Sequence, residues 1–220
     1  MLPLLLLVAT ALATPPDATL DRLVDALEAL ADPTQAASFL VTTTASFADT
    51  DGDDAHTDVV VTEVRFEVGG EQINTVISHT RDGELLEPEE DKDDDGEKKE
   101  VGFSLAVPAN DDLPRYTYGP TTQRGTASVA HYQPAPGEPS DDDLASGEVA
   151  WDPSTGRPLW ITFEPLEKPF LVKSLDNRLV IGETAGKLHT ARILSSGIGG
   201  PPLMRKKFEL DMRFHDVVWR

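Results

Sequence analysis

Most of this chain alternates between apolar and polar residues with a period of two, the pattern of a β-strand that buries one face. In the segment 206–214, Phe208, Leu210, Met212 and Phe214 fall on one side and mainly charged residues on the other. Further strands are predicted at 39–47, 57–68, 72–80, 101–107, 115–118, 126–132, 147–151, 158–163, 170–175, 179–181 and 188–194. Short turn-rich stretches, among them Asp176-Asn177, separate most of them. The sequence therefore predicts a mainly β protein with an antiparallel meander.

One helix is predicted ahead of the strands, over about residues 18–31. Leu20, Leu23 and Leu27 recur at helical spacing, and Pro33 ends the helix. Such a helix is roughly 20 Å long, which is too short to cover the apolar surface of so many strands. Either the sheet curls and fills its own core, or an apolar concavity remains for a ligand or partner.

The first residues have the features of an export signal. Residues 2–12 are almost entirely apolar, and Ala11 and Ala13 give the A-x-A pattern that precedes cleavage. The run is shorter than the roughly 20 apolar residues of a membrane-spanning helix. We predict a signal peptide at 1–13 and a single β-rich domain at 14–220. The chain has no cysteine for a lipid anchor, so we expect a soluble exported protein, periplasmic or extracellular.

The formal net charge of −20 is concentrated in a few acidic stretches, at 49–58, 82–100 and 138–143. The low complexity of 84–100 predicts an acidic, disordered loop. Affinity for nucleic acid depends on Lys and Arg side chains that neutralise phosphates, and anionic lipid surfaces attract basic segments. We therefore expect no nucleic-acid partner and no stable membrane insertion.

No motif specifies a reaction or a metal. The acidic stretch that starts at Asp49 has Asp54 and Val60 where an EF-hand loop needs Gly and Glu. The five histidines are scattered, and the chain has neither a thiol nor a Gly-x-Ser-x-Gly elbow. The glycine-rich stretch 195–200 precedes a strand, so it lacks the helix N-terminus of a phosphate loop. We predict no catalytic residue, no metal site, no cofactor and no enzymatic activity.

The segment 147–159, GEVAWDPSTGRPL, is predicted to form a hairpin. Pro153 presets the backbone for a turn, and Gly156 permits the positive φ that closes it. The segment resembles the G-x-V-x-x-D-P-x-T-G-x-P-L hairpin of the LolA/LolB-like group, exported lipoprotein-sorting proteins of Gram-negative bacteria. The order of the other elements also agrees with that group: a PFLVK segment follows the hairpin at 169–173, and the alternating strand at 206–214 comes last.

The resemblance implies a half-barrel, in which a strongly curved antiparallel sheet carries an N-terminal amphipathic helix on its concave face. It also implies an apolar cavity that accepts acyl chains. Because the chain has no lipid-attachment cysteine, it implies a soluble, carrier-like member.

The leading hypothesis is therefore a protein that binds a hydrophobic ligand, either a lipid or the acyl chain of a lipoprotein. Leu159 is expected on the same face as Ile161 and Phe163, by alternation. The residues predicted to line the cavity are Val64, Phe66, Trp151, Leu159, Ile161, Leu210, Met212 and Phe214. The alternative is a non-catalytic structural or interaction module of the cell envelope, whose acidic loops engage cationic partners or Ca²⁺. A hydrolase whose residues converge only in space is a third hypothesis, and the sequence leaves the oligomeric state open.

Overall fold

The described part of the chain forms one large antiparallel sheet. The computed structural model describes residues 36–67, 72–86, 115–138, 144–168, 171–201 and 205–220. Its strands are β1 (Ala36–Asp49), β2 (His56–Phe66), β3 (Gln72–Arg81), β4 (Glu84–Leu85), β5 (Tyr116–Tyr118), β6 (Thr122–Arg124), β7 (Ala127–Pro134), β8 (Ala145–Trp151), β9 (Pro158–Pro165), β10 (Val172–Thr184), β11 (Lys187–Gly199) and β12 (Lys206–Trp219). The predicted signal peptide at 1–13, the helix at 18–31, the strand at 101–107 and residues 87–100 of the acidic loop lie outside the described residues.

The first and last strands pair with each other and join two runs of consecutive strands. The order across the sheet is β4-β3-β2-β1-β12-β11-β10-β9-β8-β7-β5, with β6 beside β7. Along β1 and β12, Val41 stands opposite Phe214 and Phe47 stands opposite Phe208. The sheet is open, with β4 and β5 at its edges. The predicted mainly β, antiparallel fold is confirmed.

The turn predicted at Asp176-Asn177 is wrong, because both residues lie in the middle of β10. Asn177 is buried, and its side-chain amide donates to the Phe163 carbonyl oxygen at 3.3 Å while its own oxygen accepts from Ser195 Oγ at 2.6 Å. These two bonds satisfy a polar residue inside a sheet, where a buried polar group without a partner would be costly. The strands predicted at 170–175 and 179–181 are therefore one continuous strand.

The hairpin between β8 and β9 has the predicted turn. Asp152 accepts hydrogen bonds from the backbone N–H of Ser154 at 2.8 Å and from its hydroxyl at 2.6 Å. Gly156 has a φ of 75°, and its N–H donates to the Asp152 carbonyl at 2.8 Å. The Ser154 bonds hold the pKa of the Asp152 carboxyl below its usual range, so the turn is fixed by an ionised side chain.

Residues that pair directly across the sheet share a face, and the register defines an apolar face and a polar face. The largest buried group on the apolar face, here called the main cluster, belongs to the half of the sheet from β5 to β10. Its members are Tyr116, Ala130, Tyr132, Leu144, Ala145, Val149, Trp151, Ile161, Phe163, Leu179 and Ile181.

The Tyr132 hydroxyl donates to the Thr162 carbonyl at 2.9 Å, reaching across β8 at Gly147. Burial raises the pKa of Tyr132 well above its usual range, which keeps the hydroxyl protonated as a donor. The side chain of Thr162 compensates, since its Oγ1 accepts from the Glu148 N–H at 3.0 Å.

A register shift between β8 and β9 places Leu159 differently from the prediction. The shift falls between Ala150 and Trp151, which pair with Trp160 and Pro158. Leu159 packs with Trp160 against Ala150 in a separate small cluster. The expectation that Leu159 shares a face with Ile161 and Phe163 is therefore wrong, because a bulge interrupts the alternation.

Candidate functional site

A second apolar group on the same face as the main cluster lies where β2, β1 and β12 meet, and is here called the aromatic cluster. Its buried floor is Val41, Val64 and Phe66, and its partly buried members are Phe39, Met212 and Phe214. The Phe39 ring centroid lies 6.0 Å from that of Phe66 and 5.9 Å from that of Phe214, in tilted packing. These distances are typical of favourable aromatic pairs.

The predicted cavity residues fall in four places. Val64, Phe66, Met212 and Phe214 meet in the aromatic cluster, whereas Trp151 and Ile161 belong to the main cluster. Leu159 lies in the small cluster with Trp160. Leu210 lines a groove whose other lining residues lie mostly on the polar face. The structure thus brings together half of the predicted set.

The polar face carries a groove of about 780 Å³ that crosses seven strands. Its middle is a row of cross-strand neighbours, which runs Thr44, Asp211, Leu194, Arg178, Thr162, Glu148 and His131 from β1 to β7. A parallel row beside it runs Ser46, Glu209, Ser196 and Asp176 from β1 to β10. All but Glu148 line the groove, which we call the polar groove.

An ion-pair network occupies the part of the polar groove nearest β12. Arg192 donates to the two carboxylate oxygens of Asp211 at 2.6 and 2.7 Å, and Arg213 adds bonds at 3.1 and 2.8 Å. The hydrogen bond from Arg192 is the main reason why the pKa of Asp211 lies below its usual range. Asp211 is therefore ionised and neutralised in place.

Three charged residues of the polar groove have no such compensation from the described residues. Arg178 stacks its guanidinium on the Trp160 ring, 4.4 Å from the centroid, and among the described residues it makes no ion pair. Asp176 likewise has no hydrogen bond or ion pair from its side chain to any described residue. The same holds for Glu209, in the row with Asp176.

The described residues show no metal centre and no histidine cluster. No group of three or more His, Asp or Glu in this part of the chain could hold a metal ion. His131 is the one histidine on the polar groove, and His189 is buried elsewhere, between Thr184 and the Thr190 carbonyl. No helix in the described ranges has the length and apolar character to cross a membrane.

Sequence reasoning missed Phe39, Val41 and the polar groove. Phe39 and Val41 lie in the alternating strand predicted at 39–47. The face that they share with Val64 could be assigned only once β1 was paired with β2. The polar groove had no such signal, because its lining is the ordinary polar side of several strands. Only the cross-strand register brings Trp160 beside Arg178 and places Glu209 in the row of Asp176.

The sequence matches no protein-family model and no curated protein. Among solved structures, the chain is similar to an outer membrane lipoprotein-sorting protein domain from Vibrio parahaemolyticus. The identity is 14%, the coverage 90% of this chain and 92% of that one, and the TM-score 0.41. It is also similar to a DUF1329 family protein from Desulfovibrio piger, at 10% identity, 92% coverage of both chains and a TM-score of 0.35.

A third similar structure is the Pseudomonas aeruginosa MucA/MucB complex, at 9% identity, 88% coverage of this chain, 94% of that chain and a TM-score of 0.20. A lipoprotein-sorting domain, the class that the hairpin resembles, is thus found among the similar structures. These similarities concern whole chains at identities too low to transfer any site residue.

Proposed function

We propose that this protein is an exported, non-enzymatic binding protein that takes up a hydrophobic ligand, a lipid or the acyl chain of a lipoprotein. The observation that carries the proposal is the aromatic cluster, where Phe39, Met212 and Phe214 stay partly accessible above a buried apolar floor. A soluble protein rarely leaves such residues together on its surface without a use for them.

The chemistry of the aromatic cluster suits a flexible apolar chain. Burial of apolar surface contributes about 25 cal/mol per Å², so a ligand that covers roughly 200 Å² gains about 5 kcal/mol before its ordering cost. The thioether of Met212 and the tilted rings beside it can adjust to chains of different shape. The main cluster cannot serve in this way, because its Leu179 and Ile161 are already in full contact with protein.

The predicted signal peptide at 1–13 and the resemblance of the 147–159 hairpin support a periplasmic location and a carrier-like role. In this proposal binding needs no covalent step. Mass determination of the mature protein tests the export part, since loss of residues 1–13 is expected after expression in a Gram-negative host.

Native mass spectrometry with organic extraction, on protein purified from the periplasm, tests ligand binding. An acyl-chain species at near-stoichiometric amount supports the proposal. A ligand-free mass, together with no uptake of added fatty acid or lipopeptide, contradicts it. If millimolar Ca²⁺ then raises the melting temperature, the acidic-loop interaction module becomes the better hypothesis.

Point variants locate the binding surface. Phe39→Ser and Phe214→Ser should each weaken fatty-acid binding, because each removes a ring from the aromatic cluster. Phe47→Ser is the matched control, since Phe47 lies on the same strand as Phe39 and is also half-buried. Its ring stacks on His56 instead, with ring centroids 5.2 Å apart. Equal loss in all three variants would show that binding does not depend on the aromatic cluster.

A further inference from the structure

The polar groove holds opposite charges that do not neutralise each other. Asp176 and Arg178 are two residues apart on β10, on the same face and about 7 Å apart along the strand. An arginine side chain could span that distance, yet the two do not pair. The reason is local: the guanidinium of Arg178 lies over Trp160, on the side away from Asp176.

The negative end of the polar groove is a pair of carboxylates around a hydroxyl. Ser196 stands opposite Asp176 on one side and opposite Glu209 on the other. An ammonium group has three N–H donors, and these three side chains present acceptors within one row. A carboxylate pair alone would not identify a ligand, so the opposite end decides the chemistry.

The positive end contains two guanidiniums. Arg178 stacks on Trp160, and its N–H groups have no partner among the residues that the structure describes. Arg192 lies on the neighbouring strand and binds Asp211 through Nε and one terminal nitrogen. Its other terminal nitrogen has no hydrogen bond to any described residue. Two guanidiniums with free donors suit a phosphate, which carries more charge and more acceptor oxygens than a carboxylate.

We propose that the polar groove binds a small zwitterion with a primary ammonium and a phosphate joined by a short linker, of the phosphoethanolamine type. The ammonium lies against Asp176, Ser196 and Glu209, and the phosphate lies against Arg178 and Arg192. The molecule is either free or the headgroup of a lipid. This site is on the face opposite the aromatic cluster, so its test is independent of the test of the proposed function.

Calorimetric titration of the full mature protein tests the proposal with four probes: phosphoethanolamine, phosphocholine, glycerol 3-phosphate and ethanolamine. We expect phosphoethanolamine to bind most tightly. Phosphocholine keeps both charges but lacks ammonium N–H donors, so it should bind more weakly. Co-sedimentation with phosphatidylethanolamine-containing vesicles, against phosphatidylcholine vesicles, shows whether the headgroup in a membrane is also recognised.

Variants at the two ends should separate the two charges. Arg178→Gln should weaken phosphoethanolamine binding about tenfold, the usual effect of losing a charge-assisted hydrogen bond, and should leave ethanolamine binding unchanged. Asp176→Asn should reduce the preference for phosphoethanolamine over phosphocholine, while Ser196 and Glu209 remain in place. Arg157→Gln is the control, because Arg157 pairs with Glu183 at 3.0 Å, outside the polar groove, and is similarly exposed.

Three results would overturn the proposal. The first is no binding of phosphoethanolamine at millimolar concentration. The second is equal affinity for glycerol 3-phosphate, which would make the groove a simple anion site. The third is equal weakening by Arg157→Gln, which would indicate nonspecific charge attraction. Phosphoethanolamine binding that persists in Phe39→Ser and Phe214→Ser would confirm that this site is independent of the aromatic cluster.

Discussion

The main cluster and the aromatic cluster lie on the same face of one sheet and are built from the same alternation, yet they differ in how completely they are covered. Tyr132, Leu144, Ile161 and Leu179 of the main cluster are at most 1% exposed. The best-buried members of the aromatic cluster retain 6–8%, and half of its residues are only partly buried. Period-two patterning thus specifies which side chains share a face, but not whether that face becomes a filled core or an accessible surface.

A buried polar pair lies between the two clusters on the apolar face. Ser195 and Asn177 face each other across β11 and β10, with a 2.6 Å hydrogen bond. Because the pair is satisfied internally, it does not need water or a ligand. It interrupts the apolar face in its own row, whereas in the next row the buried Ile193 stands between Leu179 and Met212. The main cluster and the aromatic cluster are separate groups of contacts, and we expect them to respond separately to substitution.

The largest effect should come from Leu179→Ala in the main cluster. Leu179 is completely buried, so its truncation leaves a cavity and should lower the free energy of unfolding by about 2–5 kcal/mol. Chemical denaturation measures the loss. Fatty-acid affinity of the fraction that remains folded should be unchanged, and a selective loss of affinity would contradict the separate response of the two clusters.

A somewhat smaller effect is expected from Gly147→Ala, also in the main-cluster half. A Cβ at Gly147 would lie 1.8 Å from the Thr162 carbonyl oxygen and 3.0 Å from the Tyr132 hydroxyl. Because the clash is with the backbone, β9 must move away from β8 and the Tyr132 hydrogen bond to Thr162 must be disturbed. We expect a destabilisation of about 1–3 kcal/mol. The measurement is a thermal melt followed by near-ultraviolet circular dichroism, which reports on tyrosine packing.

Gly119→Ala is the control for that prediction. A Cβ there would meet nothing closer than 3.8 Å, so stability should change little. If both glycine variants melted at the wild-type temperature, the close approach of β9 to Gly147 would be refuted.

The strands themselves were largely predictable, whereas their interruptions and continuations were not. The turn chemistry of Asp152 and Gly156 is local, so the sequence was sufficient for that hairpin. Asp176-Asn177 has the composition of a turn, but the bonds that Asn177 makes with Phe163 and Ser195 come from neighbouring strands. Tertiary contacts of that kind cannot be inferred from a local window.

The candidate site shows the same limit. Half of the predicted cavity residues meet in the aromatic cluster because β1, β2 and β12 pair in register. Leu159 was misplaced because one extra residue in a bulge reverses the face of a side chain. The polar groove depends on rows that run across seven strands, from β1 to β7, so no local pattern could indicate it.

A smaller change is expected from Phe214→Ala in the aromatic cluster. Phe214 is only partly buried, so its truncation should cost about 1 kcal/mol of stability, well below the loss for Leu179→Ala. Expressed as a free-energy change, the loss of fatty-acid affinity should exceed the loss of stability. Chemical denaturation and binding titration on the same preparation test this, and a stability loss equal to that of Leu179→Ala would place Phe214 in a filled core instead.

The smallest effect concerns Asp211, whose partners lie on the polar face and outside both clusters. Its pKa is lowered chiefly by the Arg192 hydrogen bond, so its contribution to stability is present above the ordinary carboxyl range and is lost as the pH falls through the folded-state pKa. Because the pair is partly open to solvent, we expect at most about 1 kcal/mol. Asp211→Asn should therefore unfold more easily than the wild type at neutral pH, and the difference should shrink below about pH 4.

Arg192→Gln should remove most of the same pH dependence and Arg213→Gln less of it, as measured by urea denaturation across pH 2–7. A difference that stayed constant through acid would show that Asp211 stabilises the sheet by packing and not by its charge.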